Sequence, residues 1–261
     1  MTTRLSVNLN KVALLRNQRD LDLPSVARAA RAVIDAGAHG ITVHPRPDAR
    51  HTRPADVLEL SAIARERGVE FNVEGYPAAD FVDLVRRVRP DQCTLVPDEP
   101  WQRTSDHGWD VRTHAPVLRP VVGDLAARGI RVSLFVDAGA VPMEEVRAIG
   151  ASRVELYTEP YARAFGTTEQ QTVLDRFAET ARSAERAGLG VNAGHDLNLD
   201  NLGALVARIP TILEVSIGHA LIADALFMGL GSAVRAYLAQ LSPSARAGRQ
   251  ATTPASGAGA L

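Results

Sequence analysis

The chain has 261 residues, one cysteine and a formal net charge of −1, from 29 basic and 30 acidic side chains. That balance supplies no broad basic field for nucleic acid, so any anion site has to be local, and Cys93 alone forbids an internal disulfide. The longest apolar runs, such as Ala220–Phe227, are too short for a bilayer, and Met-Thr-Thr-Arg lacks the apolar core of a secretion signal, so a cytoplasmic protein without membrane or nucleic-acid partners is expected.

Leu5–Asn8 reads as a first strand, followed by Asn10 and Lys11, an apolar Val12–Leu15 and a polar loop over Arg16–Asp20. Leu23–Ala36 has helical spacing and stops at Gly37, a C-cap residue. Ile41–Val43 is a short β-branched strand that Pro45 and Pro47 end at His44. Pro54–Arg67 is helical, Val69–Val73 a strand running into Glu74-Gly75, Ala78–Val88 helical, and Gln92–Val96 a strand. A polar loop from Glu99 to about His114 carries Trp101, Thr104 and Trp109, and its length suits a lid over a site. Val117–Arg128 is helical, Arg131–Val136 a strand, Pro142–Ile149 a short helix and Arg153–Tyr157 a strand. Thr167–Ala187 is a long helix, Gly190–Ala193 a strand, Leu199–Arg208 a helix and Ile212–Ser216 the eighth strand. Ala220–Leu241 is a last helix that Gly229 and Gly231 kink or divide. Residues 242–261, rich in Pro, Ser, Ala and Gly, read as a disordered tail.

Eight strands alternating with helices predict a single (β/α)8 TIM-barrel domain over residues 1–241. A doubly wound open sheet is the alternative, but no Gly-x-Gly-x-x-Gly follows any strand. A barrel collects functional groups after its strands, at their carboxyl ends. There the sequence offers Asn8, Asn10 and Lys11, then His44 and Arg46, Glu74, Asp137, Glu159, His195, and Gly218 with His219.

Three chemistries compete for these residues. Metal binding has weak support, because the histidines show no paired spacing and Arg46 lies beside His44. Phosphate binding fits Gly218-His219 at the start of the last helix, with Arg16, Arg19, Arg46 and His51 to clamp a second anion. Acid–base catalysis fits His44, Glu74 and His195, which lie on three strands yet face one mouth. No Gly-x-Ser-x-Gly elbow supports acyl transfer.

Several segments carry a family resemblance: Val7-Asn8-Leu-Asn10-Lys11, Gly37-Ala-His-Gly-Ile-Thr-Val-His44-Pro-Arg46, Asp48-Ala-Arg50-His51, Val191-Asn-Ala-Gly-His195 and Ile217-Gly-His219-Ala. Together they resemble the pyridoxine 5′-phosphate synthase family of vitamin B6 synthesis, from about residue 4 to residue 240. The resemblance implies a (β/α)8 barrel in homo-octamers that joins 3-amino-2-oxopropyl phosphate to 1-deoxy-D-xylulose 5-phosphate without metal or cofactor. It further implies His44 and Glu74 as proton acceptors and His195 as proton donor. Asn8, Gly218 and His219 would hold the amino-oxopropyl phosphate, and Arg19, Arg46, His51 and Thr104 the deoxyxylulose phosphate. Two departures stand out: Asn10-Lys11 replaces an Asp-His pair, and Asp196 replaces a glycine, all three remaining candidate substrate contacts. A phosphosugar isomerase or aldolase is the rival enzyme; if it used a Schiff base, Lys11 is the only lysine available. A non-catalytic binder of phosphorylated metabolites is the other alternative.

Overall fold

Most strands alternate apolar and polar residues, and a strand sends alternate side chains to opposite faces. In the computed structural model, which describes residues 2–98, 102 and 105–242, that alternation sorts the chain into two interiors. Strands β1 (Arg4–Asn8), β2 (Gly40–Val43), β3 (Glu70–Gly75), β4 (Gln92–Leu95), β5 (Arg131–Val136), β6 (Arg153–Tyr157), β7 (Gly190–Gly194) and β8 (Ile212–Ile217) are parallel. They close in sequence order, with β8 pairing back onto β1. This is the expected (β/α)8 barrel.

Val7, Ile41, Val73, Leu134, Leu156 and Val215 are fully buried in one continuous apolar cluster with the helices. The other row of side chains points into the barrel, where branched aliphatic residues are usual. Here it is polar. Ser6 bonds Thr42 (2.7 Å), Thr94 bonds Asn72 (3.1 Å), and Asn192 of β7 reaches across to Gln92 of β4 (3.2 Å). Gln92 also donates to Glu214 (3.3 Å), while Arg131 and Arg153 reach the Gln92 oxygen from β5 and β6. Buried polar groups persist only when partnered, so this lattice of bonds is a condition of closing the barrel.

The helices are α1 (Asn10–Arg16), α2 (Val26–Asp35), α3 (Pro54–Arg67), α4 (Ala79–Val88), α5 (Val111–Ala127), α6 (Met143–Ile149), α7 (Glu159–Ala164), α8 (Gln170–Arg186), α9 (Leu202–Arg208), α10 (His219–Met228) and α11 (Leu230–Gln240). Three differ from the sequence reading by more than their ends, and the division expected of the last helix is observed. Asn10–Arg16 is helical rather than a strand exit and loop. Helix α5 starts at Val111, ahead of Val117, because Asp110 caps the Arg112 and Thr113 amides, and Pro116 sits within its first turns. The α7 turn lies in a stretch left unassigned. The last helix is divided at Gly229, whose φ of +80° ends α10 in a conformation that favours glycine. The tail from residue 243 onward lies outside the described residues.

Arg16 is not a phosphate clamp. Its guanidinium grips both carboxylate oxygens of Asp56, at 2.6 and 2.8 Å, with both side chains buried. Asp56 also accepts the Arg53 amide (2.7 Å) at the start of α3, so the pair fastens α1 to α3. Arg16→Ala would strand a buried carboxylate, a loss of about 3–5 kcal/mol for such pairs; denaturant unfolding should show a lowered midpoint with an unchanged slope.

Candidate active site

Above the carboxyl ends of the strands lies a cavity of about 320 Å³. It is lined by Asn8, Asn10, Lys11, His44, Arg46, His51, Glu74, His195, Asp196, Gly218 and His219. One space thus collects the residues expected from five separate strand ends, whereas Asp137 and Glu159, expected with them, do not line it. Arg19 is exposed and away from this cavity, and Thr104 lies outside the described residues.

The first wall is built by β1, β2 and β3. Asn8 donates to Glu74 (3.5 Å) and accepts the Asn10 amide (3.0 Å). The Asn10 side-chain oxygen then accepts the His44 amide (2.9 Å) and the Thr52 hydroxyl (3.3 Å). His51 contacts the His44 carbonyl through Nδ1 at 3.0 Å. Arg46 is buried, bonds the Asp98 carboxylate and donates to the Gln102 carbonyl (2.6 Å). Asp98 also accepts from Ser105 (2.7 Å), and its Oδ2 lies 4.0 Å from His44 Nε2.

Trp109, read as part of a polar lid, is instead buried. Its indole donates to the Leu95 carbonyl (2.8 Å), pinning the end of the loop to β4.

The opposite wall carries His195. Its ring packs on Phe135 and Tyr157, with centroids 4.8 and 5.4 Å away, and its buried Nδ1 has no partner among the described residues. His195 and Asp196 both hold positive φ, +81° and +57°, an arrangement rare for residues with a side chain and concentrated at functional sites. Thr158 maintains it by bonding the Gly194 and His195 carbonyls.

Glu155, in mid-strand on β6, was not anticipated. It lines the cavity, is buried, and its Oε2 has no partner among the described residues. A Cβ on Gly194 would lie 2.3 Å from Glu155 Oε1, so glycine is what leaves room for the carboxyl. The sequence signal was a lone carboxylate at the centre of an alternating strand with both faces covered.

Burial sets the charges of the site. It lowers His44 well below the ordinary imidazole range, assisted by Arg46 and His51, and takes His51 and His195 down to about 4. It raises Glu74 well above the carboxylate range, assisted by Glu155 and Asp98, and lifts Glu155 to about 7. At neutral pH His44, His51 and His195 are therefore unprotonated and share the cavity with a Glu74 carboxyl that keeps its proton.

A family model described as "Pyridoxal phosphate biosynthesis protein PdxJ" matches residues 5–243. The chain belongs to the PdxJ family. Pyridoxine 5′-phosphate synthase of Albidiferax ferrireducens is 55% identical over 91% of this chain and 97% of its own. The enzyme of the same name from Xanthomonas oryzae pv. oryzae is 54% identical over 91% and 96%. Among solved structures, a tryptophan synthase from M. tuberculosis superposes with a TM-score of 0.65 at 13% identity, covering 92% of this chain and 93% of the other. Thiamine phosphate pyrophosphorylase from Pyrococcus furiosus gives 0.59 at 16%, covering 91% and 95%. These structures share the fold; membership of the PdxJ family rests on the sequence.

The raised Glu155 carboxyl has a consequence for stability. A carboxyl whose folded-state pKa is lifted from its ordinary value to about 7 binds its proton more tightly folded than unfolded. That contribution is present below the ordinary value and is lost as pH rises through about 7. Glu155→Gln removes the dependence, so the variant should gain in melting temperature relative to the parent as pH is raised from 5 to 8. Parallel melts with a constant gap across this range would contradict the assignment.

Proposed function

We propose that this chain is a pyridoxine 5′-phosphate synthase. It joins 3-amino-2-oxopropyl phosphate to 1-deoxy-D-xylulose 5-phosphate in a transferase-type, ring-closing condensation that releases phosphate and water. The observation that carries the reading is the family match over residues 5–243 together with a single cavity that gathers His44, Glu74 and His195. Ring formation needs an imine between amine and ketone, loss of phosphate and water, and closure. Each step moves protons, and none of them demands a metal or a nicotinamide.

In this reading Asn8, Gly218 and His219 hold the amino-oxopropyl phosphate, and Arg46 and His51 the deoxyxylulose phosphate. Gly218-His219 offers the start of α10, whose backbone amides suit an anion. His44 and Glu74 accept protons and His195 donates one. A phosphate dianion nearby favours the charged form of the His195 imidazole, and Glu74 becomes an acceptor once it has passed on the proton that burial keeps on it. Glu74 and Glu155 line the same cavity and titrate as a pair. One can hold a proton for release while the other takes one up.

The same reading includes self-association, as homo-octamers. Helix α10 ends in Leu226, Phe227 and Met228, with Phe227 91% exposed, and α1, which packs against it, adds exposed Leu15, with Leu21 and Leu23 following. Apolar side chains gathered this way mark protein contacts. Arg19 lies on that segment rather than at the cavity of its own chain. Among the described residues no helix is long and apolar enough to cross a membrane. A cytoplasmic setting suits phosphorylated substrates, whose charge keeps them from crossing bilayers.

Incubation with both substrates should yield pyridoxine 5′-phosphate and free phosphate, and failure to form either would overturn the assignment. Glu74→Gln preserves shape but removes a titratable carboxyl. Turnover should fall by about 10²–10⁴, as for loss of a general acid–base group. Binding of each substrate, measured by calorimetry, should change little because the phosphates are held elsewhere; near-normal turnover would remove Glu74 from the chemistry.

A further inference from the structure

Lys11 is the only lysine in the chain. It lies in the first turn of α1 and lines the cavity with His44, Glu74 and His195. Its neighbour Asn10 is bonded on both sides, through its amide to Asn8 and through its side chain to His44 and Thr52, which fixes the backbone that carries Lys11. The Lys11 amine itself has no hydrogen-bond or ion-pair partner among the described residues. Every other cationic side chain apart from the histidines is an arginine, including Arg46 at the same cavity. A positive charge for phosphate would be served by the same residue type. What an amine offers that a guanidinium does not is nucleophilicity toward a carbonyl.

We propose that Lys11 is a nucleophile of the condensation: its amine captures the ketone of the phosphosugar as an imine and passes that carbon to the amine of the second substrate. The inference rests on the substrates assigned above. Once the His44 imidazole has taken a proton from the Lys11 side chain, Nζ attacks the carbonyl carbon, a C–N bond forms, and a proton moves from nitrogen to oxygen to give a carbinolamine. The hydroxyl leaves as water with a proton from a carboxyl, and Glu74, which lines the same cavity and keeps its proton, supplies it. The product is an iminium, more electrophilic than the ketone. The incoming amine adds to this carbon, Lys11 departs as the free amine, and the Glu74 carboxylate recovers a proton from the new iminium. Nothing is oxidised or reduced, and the released water carries the ketone oxygen.

The test uses the full-length protein with 1-deoxy-D-xylulose 5-phosphate alone, so no turnover is involved. Borohydride should fix one adduct per chain, with a mass gain equal to the phosphosugar less one oxygen, and peptide mapping should place it on Lys11. In water enriched in heavy oxygen, the protein should also speed exchange of the ketone oxygen over the protein-free rate. Pyridoxine 5′-phosphate, which has no carbonyl, should give no adduct. Lys11→Arg keeps the charge but should lose both the adduct and the accelerated exchange. An adduct confined to the N-terminal amine, or no adduct with exchange at the protein-free rate, would overturn the proposal; both readouts on the unaltered protein decide it even if the variant fails to fold. Product formation from the two substrates without either signal would sink the role of Lys11 alone. Both signals without product would instead sink the assigned overall reaction.

Discussion

Burying a row of polar side chains inside a closed barrel is the constraint on which the rest of this molecule depends. Each unpartnered polar group in such an interior costs on the order of 1–3 kcal/mol, so the row is tolerable only as a network. Gln92 shows how it is met: its amide binds Glu214, and its oxygen receives Arg131, Arg153 and Asn192. The apolar work is moved outward to the strand–helix interface, where Val7, Ile41, Leu134 and Val215 are packed. The barrel wall therefore carries hydrocarbon on its outer face and hydrogen bonds on its inner face.

At the carboxyl ends of the strands the same row becomes the site, and there satisfaction stops. Glu155 Oε2, His195 Nδ1 and Asp98 Oδ1 are buried without partners among the described residues, as is Ser133 Oγ within β5. Burial acts in opposite directions on the two kinds of side chain: it strips protons from His44, His51 and His195 and keeps them on Glu74. The interior thus approaches neutrality with little net charge to bury, and phosphorylated ligands bring the charge that resets it. A left-handed backbone at His195 and Asp196 is a further local cost, carried by Thr158 and by the Asn201 amide that bonds the Asp196 carbonyl at 3.1 Å.

Strand order and closure were legible because alternation and β-branching recur at each strand. The predicted ends of Pro54–Arg67, Arg131–Val136 and Arg153–Tyr157 agree with the structure. Strand ends also pointed to most of the cavity, since a barrel delivers those positions to one mouth whatever their separation in sequence. Arg16 was misread because its partner Asp56 is remote in sequence, and a basic cluster does not reveal which member is already paired. Glu155 was overlooked because functional groups were sought only after the strands, at their carboxyl ends. The start of α5 was missed inside the long polar loop, although Asp110 was available as its cap. Pair choice and depth within the barrel are tertiary facts that local spacing does not encode.

The two departures from the family pattern divide along the same line between framework and chemistry. Asn10 replaces an acidic residue, yet what the structure uses is an acceptor: its amide oxygen receives the His44 amide and the Thr52 hydroxyl. A neutral oxygen does this as well as a charged one, and it places no additional carboxylate beside Glu74 and Glu155. Asp196 is exposed, and its backbone carbonyl rather than its carboxylate is what Asn201 holds. Its negative charge still acts on His195 through space, favouring the protonated ring against desolvation. That influence assists the donor role carried to His195, whereas glycine would have made the left-handed turn easier and left the ring without it. Lys11 differs from both because its amine has no hydrogen-bond or ion-pair partner among the described residues. Asn10 preserves the scaffold, Asp196 tunes a ring already in place, and Lys11 alone adds a reactive group to the cavity.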